Sequence, residues 1–490
     1  MSANLVSVLS NLFTLGSCFR LSAPDKFSQE TAQAIAVSRS EPEWLKEHRL
    51  KALRLYRDLP IEPSPLYSKY IDVVKKIDLS KIDPTADPGS NAVMEAEKFL
   101  NRAQEEAIEV HAGSKLVGLV LPNQLAKAGI IFETIEDALK LHHELVFPRL
   151  KNRLLSPDED KFAALNQAFL NFGLFVYVPK GVRVKVPFRS VCVLPEGGMG
   201  LLCQQIVVVE EDSELTFIQE VYSSADSQEN IPSLYSGLTE VYVGPNAVFQ
   251  SSLIQATSKE TIVLLNRRAG CQQSARVSWA SSHLGGSVTR SRLDSVMKEM
   301  GSTSQDVEVA FGNGEQRFDL VSDLVHDAPQ TTGSVEVRGA MTDKSRSLFK
   351  GMIRISKKAI NANAYLAEHA ILLSKDAKAD AIPGLEIDTN EVKATHSASV
   401  APIDEDQIFY LWSRGIPEAD ARKLIVLGFL EPAVQKVPLP NVRRIFRFMV
   451  EQKWSSGSVA AATTIPEDYN AEEVAAPKER DLFERHYKYR

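Results

Sequence analysis

His396 stands alone in Thr395-His396-Ser397-Ala398-Ser399, where short β-like alternation gives way to helical spacing. A neutral imidazole is a good ligand for iron, and the neighbours Thr395 and Ser397 are small. The alternative at such a junction is a histidine that satisfies strand-end hydrogen bonds. Three other histidines read as structural. His142-His143 lies on a helical stretch where adjacent residues point to different faces, and His326 sits in the alternating run Leu324-Val325-His326-Asp327. Cys18, Cys192, Cys203 and Cys271 contain no C-x-x-C pair, so neither a zinc ribbon nor a ferredoxin-type cluster site is encoded locally. A buried structural thiol is the expectation for Cys271. No G-x-x-x-x-G-K-[ST] loop is present, and Gly312-Asn313-Gly314 lacks the third glycine of a dinucleotide fingerprint. No nucleotide is therefore expected on this chain.

The elements that must position these residues change character along the chain. Residues 27–58 read as helix, ended by Leu59-Pro60 and a Pro-rich linker. Asn91–Ala112 and Ile135–Arg149 are two more helical candidates, with a strand at Lys115–Leu121 between them. From about 170 to 400 short strands recur, such as Gln205–Val209, Val307–Val309 and Met352–Ile355. Tight turns such as Gly244-Pro245-Asn246-Ala247 and Thr342-Asp343-Lys344-Ser345 separate them. The repeated strand–turn–strand unit suggests a stacked β-solenoid, with a β-sandwich as the alternative. Ile254 is expected in the core of this β body. Asp404-Glu405-Asp406 then opens a helix carrying Ile408, Phe409, Leu411 and Trp412, which Arg414-Gly415 stops. Pro417-Glu418 opens a second, with Ala421, Leu424, Ile425 and Leu427 on its apolar face. Those faces suit either packing or docking.

The domains expected are a mixed α/β N-terminal unit (1–155), a β core (156–403), a helical module (404–453) and a tail (454–490) rich in small and charged residues. Net charge is −7 from 56 basic and 63 acidic residues, which argues against a general nucleic-acid binder. No apolar run approaches the ~20 residues of a membrane span. The N-terminal LVSVLSNLFTLGSCF lacks a basic leader region, so a packing helix or arm is expected there rather than a signal peptide. Few, scattered cysteines fit a cytoplasmic protein.

Residues Glu391–Phe429 resemble the C-terminal part of the SufB/SufD family, paired scaffold subunits of the SUF iron–sulfur cluster assembly machinery. The family pattern I-D-x-D-Q-I-F-Y-x-x-S-R-G-I reads here as Ile403-Asp404-Glu405-Asp406-Gln407-Ile408-Phe409-Tyr410, then Ser413-Arg414-Gly415-Ile416. Two further matches, Lys161–Phe188 and Glu41–Leu53, keep the family's order and extend the resemblance over about residues 25–455.

The resemblance implies a mainly β fold with a right-handed parallel β-helix core. It implies a SufD-like scaffold, not an enzyme, working with a SufB-like subunit and a SufC-like ABC ATPase. An iron–sulfur cluster would be held transiently at the subunit interface, with His396 as a ligand. Dimerisation of the ATPase would pull on the helical modules and expose ligands between the paired β-helices. Glu368 and His369 fall where SufB carries a presumed ligand cysteine. Its absence here favours the SufD-like role over a SufB-like or homodimeric scaffold that builds clusters itself. Cys271 lies one residue from where SufB has a sulfur-accepting cysteine, and a one-residue slip on a strand reverses side-chain direction. Phe409, Trp412, Arg414 and Leu424 are the candidates for ATPase docking. A β-helical carbohydrate-active enzyme would need a paired-carboxylate cleft, whereas the acidic residues here fall mostly in turns and helices.

Overall fold

The computed structural model describes residues 26–62, 64–102, 106–195, 197–224 and 231–458. The expectations for Cys18, the N-terminal apolar segment and most of the tail lie outside the described residues.

From Gly200 onward the chain delivers successive strands alternately to two sheets. Gly200–Val209 joins one, Glu214–Ser223 the other, and so on to Lys378–Ile387 and Lys393–Pro402. Pairing within each sheet is parallel and in register from coil to coil. The result is a β-solenoid whose described strands form sheets of ten and nine. At the N-terminal end each sheet finishes in an antiparallel pair, Ala107–Ala112 with Lys115–Val120 and Ile131–Thr134 with Phe172–Val178.

Most of these strands run ten residues, where the sequence showed only three to five apolar ones. The apolar pattern breaks because inward positions also carry polar residues that are buried and paired. In Thr303–Gly312, for example, Asp306 accepts from the Ser304 hydroxyl at 2.9 Å and Glu308 meets His283 at 2.7 Å. In the nine-stranded sheet the last strands start at Ile262, Val288, Arg317, Arg346 and Lys378, spacings of 26, 29, 29 and 32 residues. That drift hides the repeat from a fixed-period reading.

One corner of the solenoid carries a left-handed residue in coil after coil: Asp212, Asn246, Ser274, Gly301, Gln330 and Asn361, with φ between 55° and 74°. Each donates its backbone N–H to a carbonyl in the corner of the next coil, as Asn246 does to Gln273 and Ser274 to Met300. The hydrogen-bond ladder thus continues around the bend, at positions where Asp, Asn or Gly bear that conformation most easily.

Three helical expectations are corrected. The 27–58 run is two helices, Gln29–Ser38 and Glu43–Asp58, separated by Ser40 at φ 52° and by Pro42. The Ile135–Arg149 run breaks at His142 into Ile135–Leu141 and His143–Lys151. The third helix spans Gly89–Arg102, and Ala107–Ala112 is instead a fully buried strand. Its β-branched Ile108 and Val110 pair onto Arg189 and Val191 of the solenoid, and that tertiary pairing overrides local propensity.

Both outer faces of the solenoid are covered. Apolar residues of the N-terminal helices and of Lys161–Phe169 pack on Leu202, Leu234, Ile262 and Leu264 of the nine-stranded sheet. Three C-terminal helices, Glu405–Ser413, Glu418–Lys436 and Pro440–Ser456, serve the ten-stranded sheet. Their Leu430, Val434, Phe446 and Val450 share a cluster with Ile254, Val309 and Phe311. Lys453 is buried there, its Nζ donating to Gln316 Oε1 at 2.7 Å and to the Leu284 and Phe311 carbonyls. Arg338 donates to the Phe429 carbonyl at 2.8 Å.

Ile254 is fully buried, yet on the outward face of its strand, beside this helical layer and not inside the solenoid. Ile254→Ala should lower the unfolding free energy by about 2–5 kcal/mol, the range for a truncated core aliphatic. A chemical-denaturation midpoint equal to that of the parent chain would refute this packing.

Candidate functional site

The solenoid ends at Lys378–Ile387 and Lys393–Pro402, the last strands of the nine- and ten-stranded sheets. Each pairs on one side only within its sheet. Leu385, Ile387 and Val400 lie exposed on them, at 37–40%. The coil beneath, Arg346–Ile355 and Asn363–Leu372, is largely buried. A long, regular and partly apolar edge is a template for another chain.

His396 lies on this last coil. Its register partner is Leu366, whose side chain is in the solenoid core. Register partners in a parallel pair point the same way, so His396 belongs to the inward face, and at the open end it is exposed. Glu368 lies two residues beyond Leu366, on the same face of the neighbouring strand. It is fully buried, and neither carboxylate oxygen has a hydrogen-bond partner among the described residues. Burial pushes its pKa up to about 8, partly offset by the nearby Ile382 backbone N–H and reinforced by Asp323. The fold thus brings His396 and Glu368 together as diagonal neighbours just inside the open end.

His369 is not part of this pair. It points to the opposite face, with Nδ1 2.7 Å from Ser399 Oγ, and its pKa is lowered by burial and then by Arg338. Cys271 also lies apart. Its strand is four rungs from the open edge, about 19 Å at ~4.8 Å per rung. Its thiol is fully buried and pushed up to about 12. Among the described residues no group of three or more His, Cys, Asp or Glu side chains is arranged to hold a metal ion. His326 is buried, with Nδ1 2.8 Å from Thr331 Oγ1, and burial lowers its pKa to about 4. That is a structural histidine.

The helical module presents a second feature. Asp404 caps the Glu405–Ser413 helix by accepting from the Asp406 and Gln407 N–H groups. The helix buries Ile408 while Phe409, at 62%, and Trp412, at 61%, stand exposed, their rings edge-on at 6.2 Å. The apolar run Ile408, Phe409, Leu411 and Trp412 is therefore split between two faces. Leu424 is also exposed. Arg414 stacks over the Tyr410 ring at 5.1 Å. Tyr410 was not singled out in the sequence, although it stands inside the quoted Ile-Phe-Tyr motif. It lines a groove of about 390 Å³ with Asp406, Gln407, Leu411 and Ile425. Sequence reasoning also missed the polar seam inside the solenoid, where Arg267 donates to Ser281 and Ser291 and Glu308 accepts from Ser322. Its only signal is Ser, Arg and Glu at alternate positions of apolar strands.

A carboxyl whose folded pKa is raised makes the folded state bind more protons than the unfolded one. Its contribution therefore falls as pH rises from the unfolded value, near 4.5, through about 8. Glu368→Gln should match the parent chain in denaturation midpoint near about pH 5 and exceed it increasingly toward about pH 8. A difference independent of pH would contradict the burial of an unpaired carboxyl.

Two family models match the chain. The SUF system FeS cluster assembly SufBD core domain covers residues 193–429, and the SufBD protein N-terminal region covers residues 115–189. Bacillus subtilis iron–sulfur cluster assembly protein SufD is 29% identical over 87% of this chain and 97% of its own length. SufB of the same organism is 25% identical over 86% and 93%. A SufBD family protein of Staphylococcus haemolyticus is 24% identical over the same shares. With the solenoid in place over the matched span, this chain belongs to the SufB/SufD family of iron–sulfur cluster assembly proteins.

Proposed function

We propose that the chain is a SufD-like scaffold subunit, not itself an enzyme, that pairs through its open solenoid end with a SufB-like subunit in the cytoplasm. The observation that carries this reading is the pair His396 and Glu368 on one face of that unpaired end. The similarity to a SufD over 87% of the chain supports it. An imidazole and a carboxyl are good ligands for iron but an incomplete set. Further ligands, thiolates among them, would come from the partner, with the iron–sulfur cluster as cargo. Glu368 standing where a SufB-like chain would have a cysteine favours the SufD-like role. Three buried free thiols, Cys192, Cys203 and Cys271, suit a reducing compartment.

Phe409, Trp412 and Leu424 would anchor the SufC-like ATPase, with Asp406, Arg414 and Glu418 as a polar rim. Its movement would reach the solenoid through the Glu418–Lys436 helix, which Arg338 and Glu336 tie to Thr332–Met341. Deleting the module would bare the sheet surface that includes Phe311 and Val309, so point variants are the sounder test.

His396→Ala should leave the complex assembled, since one exposed side chain contributes little to such an interface, while iron and sulfide per complex fall sharply. His326→Ala should reduce stability more than cluster yield. Normal iron and sulfide in the His396→Ala complex, with client maturation intact, would refute the ligand role. The double variant Phe409→Ala/Trp412→Ala should keep the parent melting profile and weaken ATPase capture by about tenfold or more. Undiminished capture in a pull-down would remove the docking assignment.

A further inference from the structure

At a second corner of the solenoid, in its last three coils, the turns 313–316, 342–345 and 373–377 stack on one another. Arg317, Arg346 and Lys378 head three adjacent strands and are register partners, a column of cations about 4.8 Å per rung. Lys344 and Lys375 flank it from the turns, and the five line a groove of about 400 Å³ with Glu315 and Asp376. None of the five basic side chains makes an ion pair or side-chain hydrogen bond with the described residues. Like charges stacked on neighbouring strands repel, so the groove is complementary to an acidic chain.

The C-terminal helix delivers such a chain to it. Asn313 Nδ2 donates to the Gly457 carbonyl at 2.6 Å, and Lys453 holds Gln316 at 2.7 Å. The polypeptide therefore leaves its last described residue, Ser458, beside the turn that carries Glu315 and leads into Arg317. Beyond it, residues 459–477 contain Glu467, Asp468, Glu472 and Glu473 and no Lys or Arg. The nine residues from Ser458 to Glu467 span up to about 30 Å when extended. The groove covers only two rungs, about 10 Å. We propose that the acidic segment 467–473 of this same chain docks in the basic groove formed by Arg317, Arg346, Lys378, Lys344 and Lys375. Tethering gives it an effective concentration of order millimolar, which favours it over a second copy or a free anion. This inference is independent of the SufD-like assignment.

The test is zero-length carbodiimide cross-linking of the full chain at low salt, on an equal mixture of ¹⁵N-labelled and unlabelled protein, with peptide mapping. The expected links join Glu467, Asp468, Glu472 or Glu473 to Lys344, Lys375 or Lys378 within one isotopic species. They should disappear at about 1 M salt, where the screening length is ~3 Å, and in the variant Glu467→Gln/Asp468→Asn/Glu472→Gln/Glu473→Gln. Arg317→Gln/Arg346→Gln spares the reactive lysines and should lower the yield roughly fivefold. Tail links that are absent, scattered over lysines elsewhere, or insensitive to the arginine variant would overturn the proposal. Links of mixed isotope would assign the groove to a second copy and overturn it as well.

Discussion

A stack of parallel β-coils satisfies its backbone only by having another coil above and below. In this protein that constraint reaches from the residues to the proposed role. Every interior coil is met on both sides, and even the corners join the ladder, through left-handed residues such as Asn246 and Asn361 whose N–H groups reach the next bend. At the N-terminal end the sheets are finished by short antiparallel strands. At the other end Lys378–Ile387 and Lys393–Pro402 have no such finish within their sheets. The open coil leaves an unpaired row of backbone donors and acceptors ten residues long in each sheet, against six and four residues in the edge strands Lys115–Val120 and Ile131–Thr134 at the other end.

The chemistry of the candidate site follows from this geometry. Glu368 belongs to the last buried coil, with no hydrogen-bond partner on its carboxylate among the described residues, and burial disfavours its charged form. His396, one coil further, has solvent on its outer side. A second chain that extends the ladder would close over both groups. Two buried cations elsewhere are already balanced by carboxylates. Lys350 is wholly buried yet lies 2.8 Å from Asp319 and 3.3 Å from Glu62, and it pins the segment after Glu43–Asp58 onto the nine-stranded sheet. Arg290 does the same for the Lys161–Phe169 helix by pairing with its cap, Asp160, at 2.6 Å.

What could be read from the sequence follows the same division between local and long-range physics. Turns were legible because Asp, Asn and Gly hold many of the left-handed positions, although Ser274 and Gln330 hold two of them. The module's first helix was legible from its acidic start and from Gly415, which takes φ 88°. Strand lengths were not legible, because Asp306 and Glu308 occupy inward positions that look like loop until their partners, Ser304, His283 and Ser322, are known. The exposed faces of Phe409 and Trp412 were hidden for a related reason. With Ile408 and Leu411 between and beside them, apolar residues surround the helix and the sequence leaves its phase open. His396 was visible before the β–α junction, inside what proves to be the strand Lys393–Pro402, but its alignment with Glu368 depends on a register between residues 30 apart in the chain.

The proposed role rests on the open coil as a subunit interface. Hydrogen–deuterium exchange of the chain, alone and co-purified with a SufB-like partner, tests it most directly. Pairing should bring strong protection to Lys378–Ile387 and Lys393–Pro402, with interior coils such as Thr303–Gly312 slow in both states. Unchanged, fast exchange in those two strands within a stable complex would contradict it.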